Sequence, residues 1–179
     1  MTLIALQHLL RSAAALADDR QFLVLGSAAL LASLPELGEA EGLLTSTYDA
    51  DLCPDPFDEL TAVMLDEALG EDRAYFRKHG YHADILRDSI LQTLPAGWRG
   101  RLVDVPGCPD AHALDPHDLA AVKLLVGRPK DLALVRQLLA SGRLDPRILR
   151  ERTEALDLPV ESKPALFVRF DAVAGAGNG

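Results

Sequence analysis

The chain has 179 residues, 49% of them hydrophobic, which is enough for one core of ordinary size. Its 18 Lys and Arg stand against 27 Asp and Glu, a net charge of −9, so a general electrostatic hold on nucleic-acid backbones or anionic membranes is excluded and any phosphate recognition must be local. Two cysteines, Cys53 and Cys108, lie far apart in no metal-ligand spacing, which argues against a disulfide scaffold and for a reduced compartment.

Leu3, Leu6, Leu9, Leu10, Ala13 and Leu16 recur at helical intervals and predict a first amphipathic helix, ended by the cluster ADDR. The apolar run QFLVLG then reads as a buried strand stopped by Gly26. SAALLASLPEL has helix-forming composition up to Pro35, which puts Gly26 and Ser27 at a strand-to-helix junction. Such a junction offers backbone amides to an anion, and glycine lets a ligand come close. After the acidic connector GEAEG, the segment LLTSTYDADL predicts a second strand closed by CPDP. A helix is expected over FDELTAVMLDEAL and another over EDRAYFRKH. GYHADILRDSI and GWRGRLVDVP read as two further strands around the turn LPAG.

From LDPHDLAAVKLLVGR to about Leu156 the pattern is helical. ALFVRFDAV reads as a last strand or extended edge, and AGAGNG as a flexible tail. The order predicts an α+β fold, a mixed sheet with packed helices followed by a C-terminal helical region. Residues 1–110 would form the α/β core and 111–179 the helical region packed on it, in one compact unit. The first residues lack a basic segment with a following cleavage site. No run reaches the roughly 18 to 20 apolar residues that cross a bilayer, so the expectation is a cytoplasmic chain without a membrane partner.

The chemistry centres on Asp49 and Asp51. Side chains two apart on a strand share a face, so the two carboxylates would project together and repel unless protonated or bridged by a cation. Hard oxygen ligands suit Mg²⁺. The bland alternative is a pair of acids at a solvated strand end. An apolar strand ending in Gly-Ser, a helix, and then a strand carrying D-x-D resembles the minimal nucleotidyltransferases of the polymerase-beta-like superfamily, including AbiEii-type toxins.

The resemblance implies that Gly26 and Ser27 hold nucleotide phosphates and that Asp49 and Asp51 hold Mg²⁺. It extends from about Phe22 to Leu156 through YHADIL, LPAGWRGRLV and LDPHDLAAVKLLVGRPKDL. These segments are similar to a bacterial nucleotidyltransferase-like family in which a helix reading D-L-x-x-x-K-L precedes G-R-x-K-D. That string groups Lys123, Arg128 and Lys130 beside Asp131, and the three cations could face a triphosphate; the alternative is a basic helix end with Asp131 capping the next helix. The interval from Ser27 to Asp49 departs from the superfamily pattern, LPELGEAEGLL being inserted there. A third acid is expected from a neighbouring strand, Asp84 in YHADIL or its competitor Asp104 in RLVDVP.

His79, His82, His112 and His117 have no zinc-type spacing, and His117 suits packing or capping. Trp98 reads as a packing anchor. The resulting expectation is a Mg²⁺-dependent nucleotidyltransferase that moves a nucleoside monophosphate from a nucleoside triphosphate to a hydroxyl on a tRNA, a protein or a small molecule. By likeness to AbiEii, an antitoxin partner or a defence role is implied. The alternative is a module of the same fold that binds nucleotide or a partner without turnover.

Overall fold

The structure is a computed structural model describing residues 1–17 and 20–175, and its architecture is α+β. Asp18 and Asp19 of the expected helix-ending cluster, and the expected tail from residue 176, lie outside the described residues. The chain forms two compact units, one of Met1–Ile90 with Arg101–Asp115 and one of Leu91–Gly100 with the chain from Pro116 onward.

The first unit opens with α1 (Leu3–Leu16), whose start is fixed by Thr2: its hydroxyl accepts from the Ala5 amide at 3.1 Å. The buried face is Leu6, Leu9, Leu10 and Ala13, the positions that the 3.6-residue period selects. Burying each of those leucines contributes about 2 kcal/mol. A five-stranded sheet follows, built from β1 (Gln21–Val24), β2 (Asp49–Asp55), β3 (His82–Ile85), β4 (Val103–Asp104) and β5 (Ala111–Ala113), in the order β3-β2-β1-β5-β4. β1 runs antiparallel to β2 and parallel to β5, β2 parallel to β3, and β4 antiparallel to β5. Helices α2 (Glu59–Leu69) and α3 (Ala74–His79) pack on β3. Asp58 caps α2, accepting from the Thr61 amide at 2.9 Å and the Thr61 hydroxyl at 2.7 Å.

Several elements differ from the sequence expectation. SAALLASLPEL forms two short 3₁₀ helices, Ser27–Ala32 and Pro35–Gly38, since Pro35 cannot continue the first. β2 begins only at Asp49 and runs on through Cys53 and Pro54 instead of stopping there. The proline is tolerated for a definable reason. The Phe22 amide is turned to Asp110, so Phe22 and its partner Pro54 exchange no bond, and β3 pairs only with Asp49 to Leu52. The missing N–H of Pro54 therefore faces no strand. GYHADILRDSI supplies just four strand residues and then a 3₁₀ turn, Asp88–Thr93. GWRGRLVDVP supplies the 3₁₀ turn Trp98–Arg101 and the two-residue β4. β5 was not foreseen at all.

The second unit is helical: α4 (Pro116–Val126), α5 (Pro129–Ala140), α6 (Pro146–Glu154) and α7 (Lys163–Ala174). α7 replaces the strand expected over ALFVRFDAV. Leu166, Phe170 and Val173 are its buried residues and follow a helical interval, with Pro164 in the first turn. α4 packs against the other three helices, and its charged residues are buried rather than solvated. Asp118, fully buried, faces Arg152 of α6 at 3.4 Å. Lys123 donates to Asp131 of α5 at 2.7 Å, and Arg128 donates to the other Asp131 oxygen at 2.5 Å. Within this unit the conspicuous string DLAAVKL…GRPKD thus holds one interhelical pair, Lys123 with Asp131, to which Arg128 adds a contact from the start of α5, and an acid, Asp118, that pairs with α6.

The C-terminus of α4 is closed from α7. Arg169 donates to the carbonyls of Leu124 at 3.1 Å and Leu125 at 2.7 Å, which would otherwise be unpaired helix-end acceptors. Gly127, at φ +71, leaves the helix beside that guanidinium; a Cβ there would lie 2.8 Å from its central carbon. The His117 Nε2 accepts from the Asp145 amide at 3.0 Å, beside the start of α6.

Burial opposes the charge of Asp131, but its bonds from Arg128 and Lys123 outweigh that and hold the carboxyl below its ordinary value of 3.8. Its folded value being depressed, its contribution to stability is complete above that ordinary value and disappears as pH falls through the lower folded one. Asp131→Asn should cost about 3 to 5 kcal/mol in urea unfolding at pH 7, because it strands the buried Lys123 ammonium. The loss should shrink as pH is lowered below about 4.

Candidate active site

The first unit brings three acids together on two neighbouring strands. Along β2 the burial alternates, Ala50 and Leu52 inward, Asp49 and Asp51 on the opposite, half-exposed face. The parallel register of β2 and β3 sets Asp51 opposite Asp84 and Asp49 opposite His82. One carboxylate oxygen from each of Asp49, Asp51 and Asp84 lies within 4.8 Å of the others. Like charges this close repel one another, and a bound cation could offset that repulsion.

Gly26 stands directly against this group. The Leu25 amide donates to the Asp51 carbonyl at 2.9 Å, so the end of β1 is tied to the strand position that carries the acid. A Cβ at residue 26 would fall 1.6 Å from Asp51 Oδ2 and 2.5 Å from its Cγ. The φ of Gly26 is −90°, open to any residue, so what requires glycine here is the space taken by the Asp51 carboxylate. Ser27 starts the 3₁₀ turn immediately after, where first-turn amides have no intrahelical acceptor of their own.

His82 was foreseen only as an unsuited zinc ligand, yet it borders the site. Its Nε2 lies 3.2 Å from Asp84 Oδ1, and its ring packs edge-on to Phe76 with centroids 5.0 Å apart. The signal was in the sequence: H-x-D on a strand places both side chains on one face, by the rule that pairs Asp49 with Asp51. On the loop entering β2, the Met1 ammonium donates to the carbonyls of Leu44 at 2.6 Å and Thr47 at 2.5 Å. Burial pulls that amine below its usual value, and the nearby Asp49 charge partly restores it.

The donors fit a hard divalent cation. All three are carboxylates, the set that Mg²⁺ or Mn²⁺ prefers over softer metals, and the glycine opposite leaves the space that the Asp51 carboxylate occupies. Among the described residues this is the one group of three or more potential ligands close enough to share an ion.

The other expected residues are placed as follows. Asp104 sits on β4, at the opposite edge of the sheet from β3, bonded to His112 at 3.0 Å, so Asp84 and not Asp104 joins the pair. Lys123 and Arg128 converge on Asp131 in the second unit, and Lys130 is exposed on the first turn of α5. His79 lies against His8, Tyr75 and Tyr81 in a ring cluster formed by α1, α3 and the residue just before β3.

A family model described as nucleotidyltransferase of unknown function, DUF6036, matches residues 1–167, and the chain belongs to that family. No curated protein and no solved structure matches the chain. No helix among the described residues is long and apolar enough to cross a membrane.

Gly26→Ala tests the contact at the centre of this geometry. The new methyl can be accommodated only by turning the Asp51 carboxylate away, so Mn²⁺ affinity measured by calorimetry should fall by about tenfold or more. The melting temperature should move by only a few degrees, since the atom that yields is a side-chain end.

Proposed function

We propose that this member of the DUF6036 nucleotidyltransferases moves a nucleoside monophosphate from a nucleoside triphosphate to a hydroxyl group on a second molecule, with Asp49, Asp51 and Asp84 holding Mg²⁺. The observation that carries the reading is the convergence of those three carboxylates beside Gly26 in a chain of this family. When bound, the cation would supply neutralisation of phosphate charge and easier deprotonation of the attacking oxygen. Gly26 and Ser27 would hold the phosphates. Gly26 brings bare backbone close to the group, and Ser27 adds a hydroxyl and the amides of a starting turn.

Asp84 is the acid best suited to take the hydroxyl proton. Its side chain is 48% exposed, open to an incoming acceptor. Such chemistry needs positioning and charge compensation more than a covalent protein intermediate. Phosphate contact by Lys123, Arg128 and Lys130 belongs to the same proposal, and the engagement of Lys123 and Arg128 with Asp131 favours the exposed Lys130.

The motif order, Gly-Ser before D-x-D before a third acid, supports kinship with the polymerase-beta-like superfamily and its AbiEii-type toxins. On that kinship the acceptor is a tRNA end, a protein side chain or a small molecule, and an antitoxin is a candidate partner. The net charge of −9 weighs against a long nucleic acid. Nucleoside triphosphates are intracellular, so the reading places the chain in the cytoplasm.

Incubation with each α-labelled NTP and Mg²⁺ against tRNA, protein and small-molecule acceptors should label one of them. Asp49→Asn, Asp51→Asn and Asp84→Asn should each lower the rate by more than about 100-fold with little change in melting temperature. Binding of Mg-NTP without product would instead assign a non-catalytic binding module. In either case a nucleotide at 100 times its Kd should stabilise the fold by about 2.7 kcal/mol, and the absence of any stabilisation would remove both.

A further inference from the structure

We infer that His82 is the positioning residue for Asp84: its Nε2–H fixes one carboxylate oxygen so that the other is presented to the cation. The inference rests on the function proposed above and concerns a residue which that proposal leaves without a role. His82 is 7% exposed, an unusual place for an imidazole unless a partner compensates it. Nε2 lies 3.2 Å from Asp84 Oδ1, within ion-pair distance, whereas Nδ1 is buried with no hydrogen-bond partner.

The asymmetry assigns the proton. An N–H at Nδ1 would be a buried donor with nothing to receive it, while a bare Nδ1 leaves only a weaker lone pair unmet. The ring therefore carries its hydrogen on Nε2 and donates toward Asp84. Two contacts prevent it from turning away. The strand register holds its backbone opposite Asp49, with the His82 amide donating to the Tyr48 carbonyl at 2.9 Å, and Phe76 of α3 packs against the ring.

The consequence for Asp84 is orientational. Asp49 and Asp51 both belong to β2, and Gly26 crowds Asp51 directly. Asp84 comes from a separate four-residue strand and is nearly half exposed, so without a tether its carboxylate would sample several rotamers. The close polar contact from a buried, ring-packed imidazole restricts that freedom before any ion arrives.

The test is Mn²⁺ binding, read as free-ion electron paramagnetic resonance on the intact chain without nucleotide, with parent, His82→Leu, His82→Gln and His82→Asn. Gln extends an amide nitrogen to the place of Nε2; Asn, one methylene shorter, does not. The expected result is a Kd raised about 10- to 100-fold in the Leu and Asn variants and restored to within a few-fold of the parent in Gln. Gln binding no better than Asn, or Asn and Leu both binding as tightly as the parent, would overturn the inference. Should Leu fail to fold, the Gln and Asn pair decides alone. A parent that binds no Mn²⁺ would remove the proposed function and this inference together. A parent that binds it, with all three variants equal, removes this inference and leaves that reading standing.

Discussion

Mutual repulsion among Asp49, Asp51 and Asp84 is the constraint around which the first unit is organised. Three carboxylates within 4.8 Å of one another are tolerated only because the backbone that carries them is held by interactions with no part in the repulsion. These are the parallel ladder between β2 and β3, the antiparallel ladder between β2 and β1, and the apolar reverse face formed by Ala50 and Leu52. The central place of β1, bonded to β2 on one side and β5 on the other, makes the glycine corner that follows it a rigid wall instead of a loose loop.

The two units handle charge in opposite ways. In the second unit each buried acid has a cation at hand, Asp118 with Arg152 and Asp131 with Lys123 and Arg128, and the helices that contribute them are thereby fixed in register. In the first unit Asp49, Asp51 and Asp84 are gathered together, with the Met1 ammonium near Asp49 and His82 beside Asp84. The gathered acids are thus the place in the described chain where a cation could bind.

The D-x-D pair and the Gly-Ser turn were legible because each depends on a short-range rule, the two-residue period of a strand or the junction of a strand with a turn. Asp84 was legible as one of two choices. Preferring it over Asp104 needs the strand order β3-β2-β1-β5-β4, a long-range fact that no local pattern encodes. Length concealed other parts. Ala111–Ala113 is too short to show alternation, and the apolar run at 165–168 fits a strand until Phe170 and Val173 are counted into a helical interval. The buried partners of Lys123 were hidden for a different reason. A cation eight residues from an acid looks like surface charge in a string, and only the fold reveals that both are inside.

Arg169 carries a lesson for how this chain is cut. The family resemblance stops at residue 167, so a fragment trimmed to that limit would appear complete by homology. It would lack the guanidinium that donates to the Leu124 and Leu125 carbonyls at the end of α4, and with it half of α7, including Phe170 and Val173. The physical boundary of the helical unit thus lies beyond the boundary that likeness to relatives draws, and expression of the shorter piece would yield a frayed α4 whose failings had nothing to do with the three acids.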